Sequence, residues 1–220
     1  MGIISVENTD RLYWLGRYSE RVYTTLKIFS EHYDSMIDLD DEEYQDFCRR
    51  QEIPNIYTSV TDFANRYCFD EEDENSILSN LTRAYDNAIV LREEIGSTAL
   101  SYVQLAVYAM NDAKKSIAPL LELQKTRDNI VAFWGMVDDS VDEEHVRSII
   151  KFGKRVERID IFARMHMSTE ELRRQVARLN SRIVLTGLSY NKRGLAHINY
   201  LVEEEEMDYD SIVKEVEALI

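Results

Sequence analysis

Leu15-Gly16-Arg17-Tyr18-Ser19-Glu20-Arg21-Val22 and, 137 positions later, Phe152-Gly153-Lys154-Arg155-Val156-Glu157-Arg158-Ile159 are the two stretches whose reading decides the fold. Each sets a glycine, a base, a Glu-Arg pair and an aliphatic residue in the same order. The flanking stripe follows suit, since Leu12, Leu15, Ser19 and Val22 become Ile149, Phe152, Val156 and Ile159. Steps of three and four residues mark amphipathic helices. A glycine inside a helix costs about 1 kcal/mol relative to alanine, so one at the same place in both asks for the close approach of another backbone or ring. The expected fold is therefore all-α, a helical bundle with these two long motif-sharing helices packed at its centre. Packed as antiparallel equivalents, Glu20 would meet Arg158 and Glu157 would meet Arg21 in charge-assisted pairs. The local alternative pairs Arg17 with Glu20 and Lys154 with Glu157 on their own helices, worth roughly 0.2–0.5 kcal/mol each.

Composition agrees with a helical chain. Among 220 residues there are 7 Gly and 2 Pro, so regular elements run with few breakers between them. That length suits one domain, residues 1–220, with a real core. The net charge of −15 repels nucleic acid and an anionic bilayer surface, and no run approaches the roughly 20 apolar residues of a membrane span. The opening Met-Gly-Ile-Ile-Ser-Val has no basic region followed by an apolar stretch, and Val6 breaks the myristoylation pattern. A cytoplasmic location is expected. Cys48 and Cys68 match no metal or redox spacing, so buried free thiols are expected, a bridge between them being the alternative.

Outward from the first motif, Leu12 to Met36 predict a helix starting at Asn8 or Thr9 and ending near Leu39, where the acidic run 38–43 begins as a solvated linker. A second helix is predicted over 55–69 after Pro54, and a third from Ile77 running on through Ile95 toward Met110, bent at Gly96. Pro119 suits the first turn of the next, and Gly135 is expected to end or kink it. Asp142 is the expected cap of a helix from about Glu143 to His166. Ser168 with Glu171 forms a capping box, and short helices follow at 195–201 and from Ile212 onward.

The candidate polar cluster is Arg17, Glu20, Arg21, Lys154, Glu157 and Arg158. Trp14, Arg17 and Arg21 fall on one helical face, a combination that stacks on and clamps a planar or anionic group, or else packs in the core with snorkelling arginines.

At these residues the chain resembles a known family. Arg11-Leu12-Tyr13-Trp14-Leu15-Gly16-Arg17-Tyr18-Ser19-Glu20-Arg21 is similar to the opening signature of the bacterial alpha-E domain family, a domain of unknown function. Asn87-Ala88 with Leu91-Arg92-Glu93-Glu94-Ile95 and Ser97 resembles its central helix, and Gly153 to Asp160 its second Gly-Arg-Leu-Glu-Arg-Ala-Asp copy. The resemblance implies an all-α protein working beside a circularly permuted ATP-grasp ligase, often with transglutaminase-like proteins, in systems that make or modify peptides. The partner it implies is that ligase or its peptide substrate. It supplies no catalytic residue, but it adds Arg92, Asn191 and Arg193 to Trp14 and Tyr18 as candidate ligand contacts. Asn191-Lys192-Arg193-Gly194 departs from the Asn-Pro-Arg-Ser expected there.

Several chemistries lack their residues. A di-iron bundle needs Glu-x-x-His pairs, and the positions three before His32, His145, His166 and His197 hold Phe29, Asp142, Ala163 and Gly194. No phosphate loop, dinucleotide fingerprint or nucleophile elbow occurs, so no metal and no cofactor is expected. His197, near Arg193 and Asn191, is the one histidine held open as functional. The function expected is a non-catalytic helical binding or scaffold component. The alternatives are an enzyme whose polar centre is Arg17, Glu20, Arg21, Glu157 and Arg158, and a regulatory helical adaptor. Homo-oligomerisation is left open.

Overall fold

Breaker-poor stretches striped every three or four residues fold as helices. The computed structural model describes residues 5–38 and 42–220 and forms ten helices and no strand among the described residues. They are α1 (Val6–Asp38), α2 (Glu42–Arg50), α3 (Val60–Phe69), α4 (Ile77–Val90), α5 (Arg92–Lys114), α6 (Pro119–Ser140), α7 (Glu144–Arg164), α8 (Thr169–Ile183), α9 (Lys192–Leu201) and α10 (Tyr209–Glu217). No helix among the described residues is long and apolar enough to cross a membrane. The readings of residues 1–4 and of the boundary at Leu39 lie outside the described residues. α1 opens at Val6, earlier than expected, because the Ser5 hydroxyl accepts a hydrogen bond from the Asn8 backbone N–H at 3.1 Å.

The chain divides into two compact units. One is Tyr18–Asp142. Its core is built on Phe63, fully buried, whose ring lies 5.0–6.0 Å from those of Phe29, Tyr44, Phe47, Tyr57 and Tyr67. Tyr44, Phe47 and Cys48 come from α2, a helix that the sequence reading did not name and whose first two residues belong to the acidic run expected as a linker. Three buried residues at steps of three and one outweigh the acidic composition around them. α3 begins at Val60, five residues later than expected. Asn55 accepts from the Tyr57 N–H at 3.2 Å and Ser59 from the Asp62 N–H at 3.2 Å, so side chains satisfy the backbone that the helix would have claimed. Cys48 and Cys68 are free and buried, and burial pushes the Cys48 thiol up to about 11 and raises that of Cys68.

The helix expected from Ile77 toward Met110 is two, parted at Leu91, and Gly96 at φ 80° breaks the start of the second. Pro119 stands at the start of α6, as expected. Gly135 neither ends nor kinks that helix, which continues to Ser140. A single glycine lowers helix propensity without removing a hydrogen bond.

The other unit joins α1 as far as Arg17 to Glu143–Ile220. α7 packs against α8 and α10, and α9 against α8 and α10. Glu143, not Asp142, precedes α7, and its side chain makes no capping bond. Two polar ties fix α8 on α7. Arg155 donates to Gln175 at 2.8 Å, and Arg182 donates to Glu144 at 2.9 Å and Ser148 at 3.1 Å. Ser168 caps α8 through the Glu171 N–H, while the Glu171 carboxylate accepts from Gln175 at 2.6 Å. α9 begins at Lys192, three residues earlier than expected, because Asn191 caps it by accepting from the Gly194 N–H at 2.9 Å.

Candidate functional site: a glycine crossing with a buried ion network

Both motif glycines are placed by close approach. A Cβ on Gly16 would run into the carbonyl oxygen of Ile150 and lie 3.1 Å from the Lys154 nitrogen. One on Gly153 would run into the carbonyl oxygen of Tyr13 and lie 3.2 Å from the Arg17 nitrogen. Tyr13 lies beside Phe152, with ring centroids 5.5 Å apart, while Arg17, one turn on, reaches Glu157 and Asp160. The crossing puts backbone against backbone at the two glycines, which an added methyl on either side would prevent.

The crossing encloses charge. Arg17 Nε donates to Glu157 Oε2 at 2.6 Å, and the Arg17 guanidinium stands 3.8 Å from Asp160 Oδ2. Arg17 is 7% exposed, Asp160 4% and Glu157 0%, so the network is closed to solvent. Arg17, one turn before Arg21, is a partner of Glu157 that the sequence did not name. Asp160 Oδ1 accepts from Arg164 Nε at 2.8 Å, and Arg164 continues to Glu217 of α10 at 3.1 Å. Arg17 also lies under aromatic faces, 5.1 Å from the Trp14 ring centroid and 5.9 Å from that of Tyr13.

Desolvation opposes ionisation throughout, and partners decide the outcome. Burial lowers the affinity of Arg17 for its proton, but the Glu157 carboxylate outweighs it and the guanidinium is held more firmly protonated than in water. Burial, with the neighbouring Glu157 charge, pushes Asp160 up to about 6 against the pull of Arg164 and Arg17. Burial raises Tyr13 despite the opposing Arg17. This arrangement holds helices together and keeps Arg17 engaged on protein carboxylates.

Lys154 and Arg158 are half-buried on α7. In Tyr18–Asp142, Glu20 is 0% exposed and accepts from the Thr24 hydroxyl at 2.7 Å, and Arg21 is half-buried. The half-buried Tyr18 ring carries the Arg83 guanidinium 5.9 Å from its centroid, and exposed Arg92 donates to Ser97 at 3.1 Å. Asn191 is engaged as a helix cap, beside exposed Arg193. His197 meets Glu215 at 2.9 Å. Sequence reasoning missed Asp160, Arg164 and Glu217 as members of the network. The signal for the first two was their spacing, three and seven residues after Glu157 on one face of α7. No group of three or more His, Cys, Asp or Glu among the described residues has the arrangement to hold a metal ion.

The model of the Alpha-E family, described as a predicted alpha-helical domain with a conserved ER motif, matches residues 8–192. Glu20-Arg21 and Glu157-Arg158 are the two Glu-Arg steps of the chain, and both fall inside the match. No curated protein and no solved structure matches the chain significantly.

Proposed function

The chain belongs to the Alpha-E family, and from that premise we propose that it is a non-catalytic helical scaffold, binding an ATP-grasp peptide ligase or that ligase's peptide substrate. The ligase is the partner implied by the family resemblance. The non-catalytic half of the reading is carried by one observation: Arg17 is bonded at 2.6 Å to a Glu157 that solvent does not reach. A catalytic guanidinium–carboxylate centre lines a cleft and meets substrate, whereas charges paired and sealed on each other hold a fold together.

The test is biochemical. The purified chain is mixed with a circularly permuted ATP-grasp ligase encoded beside it, and ADP release and co-elution are followed. The expected result is no turnover by the chain alone, together with co-elution or a changed ligase rate. Failure of both, or turnover by the chain alone that Glu157→Gln abolishes without lowering the melting temperature, would overturn the reading.

A further inference from the structure

Charge is segregated within Glu143–Ile220. From Leu172 to Val202 no acidic residue occurs, while Arg173, Arg174, Arg178, Arg182, Lys192 and Arg193 carry six positive charges. The rest of the chain holds all 41 acidic residues against 20 of the 26 basic ones. This basic segment is α8, the turn after it and α9. Asn180 and Asn199 exchange amide hydrogen bonds at 2.5 and 3.1 Å, and Arg173, two turns before Asn180, donates to the Val202 carbonyl at 2.6 Å. The two helices therefore lie side by side and antiparallel, with Leu172, Leu179 and Ile198 turned inward and fully buried. Three of the cations are taken up locally: Arg173 by the Val202 carbonyl, Arg174 by Glu171, and Arg182 by Glu144 and Ser148. Arg178, Lys192 and Arg193 are exposed and make no ion pair among the described residues. Lys192 and Arg193 stand in the first turn of α9, where the helix dipole is already positive, so the helix itself gains nothing from them. Beside these cations Val184 is 64% exposed and Leu185 45% at the turn, and Tyr200 is 60% exposed on α9.

We propose that the outer face of the α8–α9 hairpin binds an acidic peptide segment carrying apolar residues. Its carboxylates meet Arg178, Lys192 and Arg193, and its apolar side chains meet Val184, Leu185 and Tyr200. Size selects a peptide over a nucleic acid. α8 is about 22 Å long, the span of roughly seven extended residues. A longer polyanion overruns that face onto a surface dominated by carboxylates. Charge selects it over a second copy of the chain, because two molecules at −15 each repel one another. The inference rests on the peptide-binding half of the scaffold reading and deepens it by naming the chemistry of the peptide.

The test uses the full chain with a fluorescent, end-capped peptide of alternating Glu and Leu, about eight residues long, against the same peptide with Gln in place of Glu. The Glu peptide should bind at least about tenfold more tightly, and its affinity should fall as salt rises from about 0.05 to 0.3 M. Arg178→Glu combined with Lys192→Glu and Arg193→Glu should weaken it at least about tenfold without lowering the melting temperature. The same charge change placed elsewhere, Lys27→Glu with Lys115→Glu and Lys125→Glu, should alter binding by no more than about twofold. Val184→Ser should weaken binding with helicity unchanged. Equal binding of the two peptides, or equal losses in the two charge-reversed variants, would overturn the proposal. So would tighter binding of a single-stranded oligonucleotide of equal charge, or light scattering that finds a dimer which the Arg178, Lys192 and Arg193 reversals dissociate. No ligase enters this experiment, so its failure is distinguishable from failure of the co-elution test.

Discussion

Removing the charge of Glu157 while keeping its shape isolates what Arg17 needs from its partner. Glu157→Gln leaves a buried guanidinium without its nearest counter-charge, and loss of one member of a buried pair typically costs about 3–5 kcal/mol. Urea unfolding should read that loss, and the double variant Arg17→Met with Glu157→Leu should recover most of it, because both charges then leave together. Asp160 adds a pH dependence of its own. Its folded-state pKa, about 6, lies above the ordinary carboxylate value, so the folded state binds this proton more tightly than the unfolded chain does. The contribution is fully present below the unfolded pKa near 4 and is lost as pH rises through about 6. Asp160→Asn, which never ionises, should therefore gain stability relative to the native chain between pH 4 and 7, on the order of 2–3 kcal/mol. A flat difference across that range would show that the carboxyl is not held up. Arg17 and Glu157 were readable as members of one polar cluster because their motifs repeat, though not as each other's partner. Asp160 and Arg164 were not, because acids and bases at spacings of three and four look like a solvated face until the neighbouring helix is in place.

At the scale of the element, the α1–α7 crossing is the feature that glycine alone permits. Gly16→Ala and Gly153→Ala each add a methyl to a backbone carbonyl of the facing helix, an overpacking that typically costs about 1–3 kcal/mol even after alanine's better helix propensity. Gly135→Ala, with open space around it, should move the other way by up to about 1 kcal/mol. Melting curves of the three variants test the contrast, and three equal shifts would remove it. Helix existence was largely legible, because Pro119 and Ser168 punctuate the chain as elementary capping rules require. Where the expectation failed, a side chain competed for backbone or a composition misled. Asn55 and Ser59 delayed α3, and the acids around Tyr44 and Phe47 hid α2.

At the scale of the molecule, charge is uneven. The chain carries −15, and Tyr18–Asp142 accounts for nearly all of it, with 25 acidic residues against 11 basic. Self-repulsion of that order is screened within about 10 Å at 0.1 M salt, so the melting temperature should rise by several degrees between low salt and about 0.3 M. A fall over that range would mean that the exposed ion pairs outweigh the repulsion. The division at Arg17 also bears on how the chain is made. Arg17 and its carboxylate Glu157 are separated by 140 residues. At roughly 5–20 residues per second, a ribosome delivers the second about 7–28 s after the first. Throughout that interval the nascent guanidinium has water, the tunnel or a chaperone for company, and a message cut short before codon 157 would leave it so for good.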